Sequence, residues 1–405
     1  MKTLYINIKQ LLQVRPEGIL KVRGADMANL PLIENAWLLT EDKIIKDFGA
    51  MDNCPHDIEN KLDCSGKMIL PTFCDSHTHI VFAASREEEF VMKIKGQSYE
   101  EIAAAGGGIL NSARKLADTS EDDLYKSAAK RLEEVISYGT GAIEIKSGYG
   151  LSLDAEIKML KVIKRLKKNY NIPIKANLLA AHAIPLEYKN NREAYIKLII
   201  EEIIPLAAQE NLAEYVDVFC EKGFFTVEET DSILKAGKAH GLVPKIHANQ
   251  LAVSGGVQVG VENNALSVDH LEEITENEIE ALQNSNTMPT ALPSCSFFLG
   301  IPFAPARDII SANLALCLAT DYNPGSTPSG NMQFVLSLAC IKMKMLPEEA
   351  INAVTINGAY AMGVSETHGS ITKGKAASFI ITKQIPSYAY IAYSFGENCA
   401  EQVIF

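Results

Sequence analysis

The spacing of apolar and polar positions changes character along the chain. Up to about Lys67, short apolar stretches at Leu4 to Ile8, Ala36 to Leu39 and Lys43 to Phe48 alternate with turn residues and predict short strands. A buried apolar strand then runs from Lys67 straight into the polar residues Asp75-Ser-His-Thr-His79. From there to about Val364, strand-like runs alternate with amphipathic helical stretches. The runs are Gly141 to Lys146, Ile174 to Ala181, Val216 to Cys220, Val243 to His247, Ala265 to His270, Met288 to Leu292 and Leu316 to Asp321. Between them Ser120 to Tyr138, Leu153 to Asn169 and Glu228 to His240 read as helices. Eight apolar strands alternating with helices predict an α/β fold, a (β/α)8 TIM-type barrel. After Val364, Gly369 to Thr382 reads again as turn and strand. The expected organisation is therefore a barrel over 68–364 and a small β-sandwich domain built from both chain ends, 1–67 and 365–405.

Chemically capable residues fall where the strand runs stop: His77 and His79, Lys146 to Tyr149, His182, Glu221, His247, His270 and Asp321. All strand C-termini of a parallel barrel open on one face, so these distant positions should converge on one cavity. In His77-Thr-His79, histidines at i and i+2 of an extended chain point the same way and can reach one cation. With His247 and Asp321 they give a mixed nitrogen and oxygen set suited to zinc or iron, with a position left for water. His270, at the end of the sixth strand, reads as either a further ligand or a base.

Composition narrows the function. The chain has 405 residues, 47% hydrophobic and 22% charged, a normal globular balance. Its formal net charge of −12 argues against nucleic-acid and anionic-membrane partners, which need basic surfaces. An anionic small substrate would need a local Arg or Lys. The N-terminus lacks the apolar stretch of a signal peptide, and the most apolar helix, Tyr195 to Ala208, is cut by Glu201 and Glu202. A cytoplasmic protein is expected. The eight cysteines are scattered without a Cys-x-x-Cys pair and read as small buried hydrophobes of a reducing compartment. Gly106-Gly-Gly108 has no Lys-Ser/Thr after it, so it reads as a tight turn rather than a phosphate cradle. His56, His240 and His368 carry no assigned role.

Pro71-Thr-Phe-Cys-Asp-Ser-His-Thr-His79 resembles the opening metal motif of the amidohydrolase superfamily. Further motifs resemble the imidazolonepropionase family within it: Phe82-Ala-Ala-Ser-Arg86, Glu89-Phe90, Tyr99 to Ile109, Lys146-Ser-Gly-Tyr-Gly-Leu151, Ala181-His-Ala183, Val216 to Glu221 and Ala319-Thr-Asp-Tyr-Asn-Pro-Gly325. The similarity spans almost the whole chain. It implies one Zn or Fe ion per chain, held by His77, His79, His247 and Asp321. It implies that Arg86 binds a substrate carboxylate and that Tyr149 and His182 contact the substrate. It places Asn323, Gly325 and Ser326 in the loop that holds the substrate, and favours His270 as a base acting with Asp321.

Gln250 stands three residues after His247, where related deaminases carry a proton-shuttling glutamate. A neutral amide cannot shuttle protons, so Gln250 is expected to orient substrate. Lys222 does not match the carboxylated lysine of two-metal relatives, and Ala377-Ser378 replaces a common Ala-Asp away from the chemistry. The implied reaction is hydrolysis of the ring amide of 4-imidazolone-5-propanoate to N-formimidoyl-L-glutamate by a metal-activated water, in histidine degradation. The implied assembly is a homodimer. Two rivals are a deaminase or other cyclic-amide hydrolase of the same fold, and a non-catalytic barrel. Gln250 speaks against a deaminase, and the complete ligand set against a non-catalytic barrel.

Overall fold

The computed structural model describes residues 2–97, 101 and 107–405. Most of the 99–109 motif, including Tyr99 and Gly106, lies outside the described residues. Two β layers organise the rest. The first is a mixed sheet in which Lys2–Leu12, Leu32–Glu41 and Ile44–Ala50 run antiparallel in turn. Lys61–Asp63 and Met68–Pro71 lie parallel to the first strand, and Phe379–Thr382 and Ala400–Ile404 complete the sheet from the other chain end. Its core is aliphatic and aromatic, with Ile8, Leu11, Leu38, Ile69 and Phe379 among its buried members.

The second layer is the barrel. Its parallel strands are Phe73–Asp75, Thr140–Lys146, Ile174–Ala181, Tyr215–Cys220, the pair Val243–Pro244 and Ile246–Ala248, then Ser267–His270, Met288–Ala291 and Cys317–Leu318. The ends meet beyond the regular ladder: Thr78 bridges Tyr322, Asp321 N donates to His77 O at 3.0 Å, and His79 N donates to Tyr322 O at 2.8 Å. Buried Asp75 adds a clamp, accepting from Thr320 N and Oγ1. The (β/α)8 architecture follows the sequence pattern, and Leu153–Asn169 begins and ends as its periodicity predicts.

Several elements differ from the sequence expectation, and the fifth barrel strand, expected whole over Val243 to His247, is interrupted at Lys245. The single strand expected over Lys67 to His79 is divided at Thr72. Thr72 N donates to Ser378 O in the terminal layer, whereas Phe73 N donates to Gly139 O in the barrel. Thr72 Oγ1 also meets Ser378 Oγ at 2.7 Å, so one residue hands the chain from one sheet to the other. The regular eighth strand stops at Leu318 rather than Asp321, and Asp321 itself adopts φ +56°. The helix expected over Tyr195 to Ala208 contains a π turn at Ile199–Ile203. Pro205, which has no N–H to donate, follows directly and accounts for the widened ladder. No helix among the described residues is long and apolar enough to cross a membrane.

Candidate active site

The barrel's C-terminal face holds a cavity of about 260 Å³. It is lined by His79, Arg86, Tyr149, His182, His247, Gln250, His270, Asp321, Asn323, Gly325 and Ser326. His77 lies fully buried beneath its wall, and three other strand-end residues expected at the cavity, Lys146, Ser147 and Glu221, are also buried away from its lining, Glu221 accepting from Gln250 N and Leu251 N.

His77, His79 and His247 form a metal-binding site, with ligand atoms within 4.8 Å of one another. His77 Nε2 and His79 Nε2 are 3.3 Å apart, and Asp321 Oδ1 lies 3.5 Å and 3.4 Å from them. Bonds of about 2.0–2.1 Å at near-tetrahedral angles place neighbouring ligand atoms roughly 3.3–3.5 Å apart, so the donors fit a shared cation. His247 Nε2 is buried without a hydrogen-bond partner among the described residues. Its other ring nitrogen, Nδ1, meets Asp217 Oδ1 at 2.9 Å, and His77 Nδ1 meets Asp269 Oδ2 at 2.7 Å. A carboxylate on Nδ1 keeps the proton there and leaves the Nε2 lone pair aimed at the centre.

Those two carboxylates share one cation. Lys146 Nζ lies 2.8 Å from Asp217 Oδ2, 3.7 Å from Asp269 Oδ2 and 2.5 Å from Glu144 Oε1. Lys245 pairs with the other Glu144 oxygen and donates to Ser76 O, and Asn177 donates to Glu144 and Asp217. The ionic members are completely buried. The paired carboxylates hold the Lys146 ammonium well above its ordinary range against the opposing effect of burial.

The far side of the cavity is built from the turn after the second barrel strand and the loop after the eighth. Glu156 accepts from Gly148 N, Gly150 N and Leu151 N, fixing the turn that carries Tyr149. Gly148 has φ +104°, and a Cβ there would sit 2.9 Å from His182 Nδ1, which hydrogen-bonds Gly148 O at 2.9 Å. His182 thereby keeps Nε2 as an acceptor and stacks on His79, with ring centroids 5.6 Å apart. Arg86 is held by Ser112 Oγ at 2.9 Å and lies over the Tyr149 ring. Its Nη2 is buried without a partner, and among the described residues no carboxylate pairs with it. A Cβ on Gly325 would come within 2.5 Å of Arg86 Nη1, so the guanidinium's place depends on that glycine. Asn323 binds Asp321 O, Ser326 Oγ, Gly325 N and Ser326 N, committing its amide to the loop itself.

Burial, reinforced by Lys146 and the neighbouring imidazoles, holds His77 well below the ordinary histidine range. His182 is lowered chiefly by burial, and His247 falls to about 4 for the same reason despite Asp217. His270 moves the other way. Burial opposes its protonation, but Glu272, Asp321 and Asp269 outweigh that and raise it. His270 (φ +91°), Leu271 (+67°), Asn249 (+58°) and Asp321 (+56°) all hold a left-handed backbone uncommon for non-glycine residues. Such strain, about 1–3 kcal/mol per residue, gathers at functional sites because the surrounding structure must impose it.

Sequence reasoning expected Lys146 at the cavity, whereas it turns inward to Glu144, Asp217 and Asp269, and it assigned no roles to Glu144, Asp217, Lys245 and Asp269. A signal was present: Glu144 with Lys146, Asp217 and Asp269 put charges inside otherwise apolar strands. Their partners, however, lie on other strands.

The amidohydrolase family model matches residues 68–404. The chain is 61% identical to an imidazolonepropionase of Christiangramia forsetii over 404 residues, covering 100% of this chain and 98% of the relative. It is 44% identical to one of Clostridium tetani, covering 94% of this chain and 92% of the relative. A triazine hydrolase variant (TM-score 0.75, 14% identity, 100% of this chain and 93% of that one) and E. coli guanine deaminase (0.74, 15%, 100% and 97%) share the fold.

Proposed function

The chain belongs to the amidohydrolase family, and on that premise we propose that its cavity hydrolyses the ring amide of 4-imidazolone-5-propanoate to N-formimidoyl-L-glutamate. The observation that carries the reading is a single cavity with a histidine and carboxylate centre at one side and, at the other, the Arg86 guanidinium, whose Nη2 has no partner among the described residues. His77, His79, His247 and Asp321 would hold one zinc or iron ion. Such an ion supplies the Lewis acidity that makes water a usable nucleophile near neutral pH.

The chain's own residues do the rest. Arg86 pairs with the propionate through two parallel N–H donors, which a lysine could not reproduce. Tyr149 and His182 bracket the ring, and Gln250 orients it through its amide. His270 presents Nδ1 to Glu272, leaving the opposite ring nitrogen to face the reacting water. As water oxygen bonds the ring carbonyl carbon, His270 and Asp321 take its proton. The carbon–nitrogen bond then breaks, and the departing nitrogen receives that proton.

The decisive experiment pairs metal analysis of the purified protein with an ultraviolet assay on freshly made imidazolone propionate. One equivalent of tightly held metal and disappearance of the imidazolone are expected. A metal-loaded protein that leaves this substrate untouched would end the proposal. The same reading carries a cytoplasmic homodimer, to be checked by light scattering and cell fractionation.

A further inference from the structure

Another set of donors lies beside the histidine centre: His270 Nδ1, the Glu272 carboxylate and the Cys295 thiol. All three residues are buried, with ligand atoms within 4.8 Å of one another. His270 Nδ1 and Glu272 Oε2 are 3.5 Å apart, and neither has a hydrogen-bond partner among the described residues. That separation is long for a hydrogen bond but matches two ligands of one cation, as between His77, His79 and Asp321. The left-handed backbone at His270 and Leu271 folds Glu272 back onto the imidazole two residues before it. Ser296 Oγ donates to Glu272 Oε1 at 3.0 Å and leaves Oε2 free. Gln250 Nε2 donates to Cys295 Sγ at 3.3 Å, a contact that favours a thiolate and that a carboxylate at position 250 would not supply.

We propose that His270, Glu272 and Cys295 form a second site for a thiophilic divalent cation such as zinc, entered from the reaction cavity, whose occupation stops turnover. One nitrogen, one oxygen and one sulfur suit zinc, whereas magnesium and calcium need shells of oxygen. The site is weaker than the histidine centre. Burial, with Asp321 and Glu272 beside it, holds the Cys295 thiol well above its ordinary range, and its proton must leave to solvent before sulfur binds. A cation on Nδ1 fixes the ring and places positive charge beside the nitrogen that must accept a proton. This second half rests on the role proposed for His270; the binding site does not.

The test uses holoenzyme with zinc in the histidine centre, titrated with cobalt(II). That centre offers no sulfur, so a near-ultraviolet sulfur-to-cobalt charge-transfer band reports the second site alone. The band should saturate at one equivalent per chain while turnover falls in step. Cys295→Ser should lose the band, and the zinc concentration that halves its own rate should rise by roughly tenfold or more. Glu272→Gln, similar in shape, should weaken cobalt binding and gives a second readout if the serine variant folds poorly. Absence of the band, or its survival in Cys295→Ser, would overturn the site. Equal inhibition by magnesium would overturn its thiophilic character. A full band with undiminished turnover would uphold the site and remove His270 from the reaction.

Discussion

Both β layers are sheets with buried faces, yet they bury different things. In the terminal layer Leu11, Leu38, Ile69 and Phe379 pack hydrocarbon on hydrocarbon, each burial contributing a few kcal/mol. In the barrel, Glu144, Lys146, Asp217, Lys245 and Asp269 are buried as ions directly behind His77 and His247. Replacing buried ion pairs with well-packed apolar groups is often neutral or stabilising, so stability alone does not explain them. Their contacts do: two carboxylates each fix an imidazole, and one ammonium joins those carboxylates. One layer is built to hold together, the other to hold a cation in place.

The comparison can be broken most sharply at the centre itself. His247→Ala should lose metal and turnover together while the terminal layer stays folded, read by metal analysis and by circular dichroism. Stoichiometric metal in that variant would remove His247 from the ligand set.

His270→Gln should keep the metal while turnover falls about 10²–10⁴-fold, the usual contribution of a positioned base. A metal-free variant would instead make His270 a ligand and leave Asp321 as the only base.

Lys146→Met should cost about 3–5 kcal/mol in denaturant unfolding, because it leaves buried carboxylates unpaired. It should also weaken metal binding. Ile69→Ala in the terminal layer should cost a comparable 2–5 kcal/mol, roughly the range for a truncated core residue, with metal content and KM unchanged. Equal effects of both on metal binding would erase the distinction between the layers.

Arg86→Ala should lower kcat/KM by about 1.5–3 kcal/mol, the range for a hydrogen bond to a charged group, and Arg86→Lys should recover part of it. Unchanged kinetics in the alanine variant would remove Arg86 from substrate binding.

The last effect is on pH dependence. His247 is lowered from 6.5 to about 4, with His77 and His182 shifted in the same direction. Below pH 6.5 the unfolded chain binds protons that the folded barrel refuses, so stability present above 6.5 is lost as pH falls toward 4. Urea unfolding of metal-stripped protein should show that decline, reduced in His247→Ala. A flat profile would mean that these imidazoles do not resist protonation.

What the sequence determined by itself is what depends on local period and chain order. Alternating strand and helix patterns settled the barrel, and the polar residues at strand ends, from His77 to Asp321, marked its working face. They could do so because every parallel strand ends on the same side. The departures needed neighbours that are remote in sequence. Thr72 changes sheets because Ser378 meets it. Lys146 becomes part of the metal site only when Asp217 and Asp269 arrive from other strands. His270, Glu272 and Cys295 become a donor set only when left-handed residues fold the sixth strand's end back toward the seventh. A residue's neighbours along the chain fix its secondary structure, but a buried charge is defined by its partner, and tertiary structure alone chooses that partner.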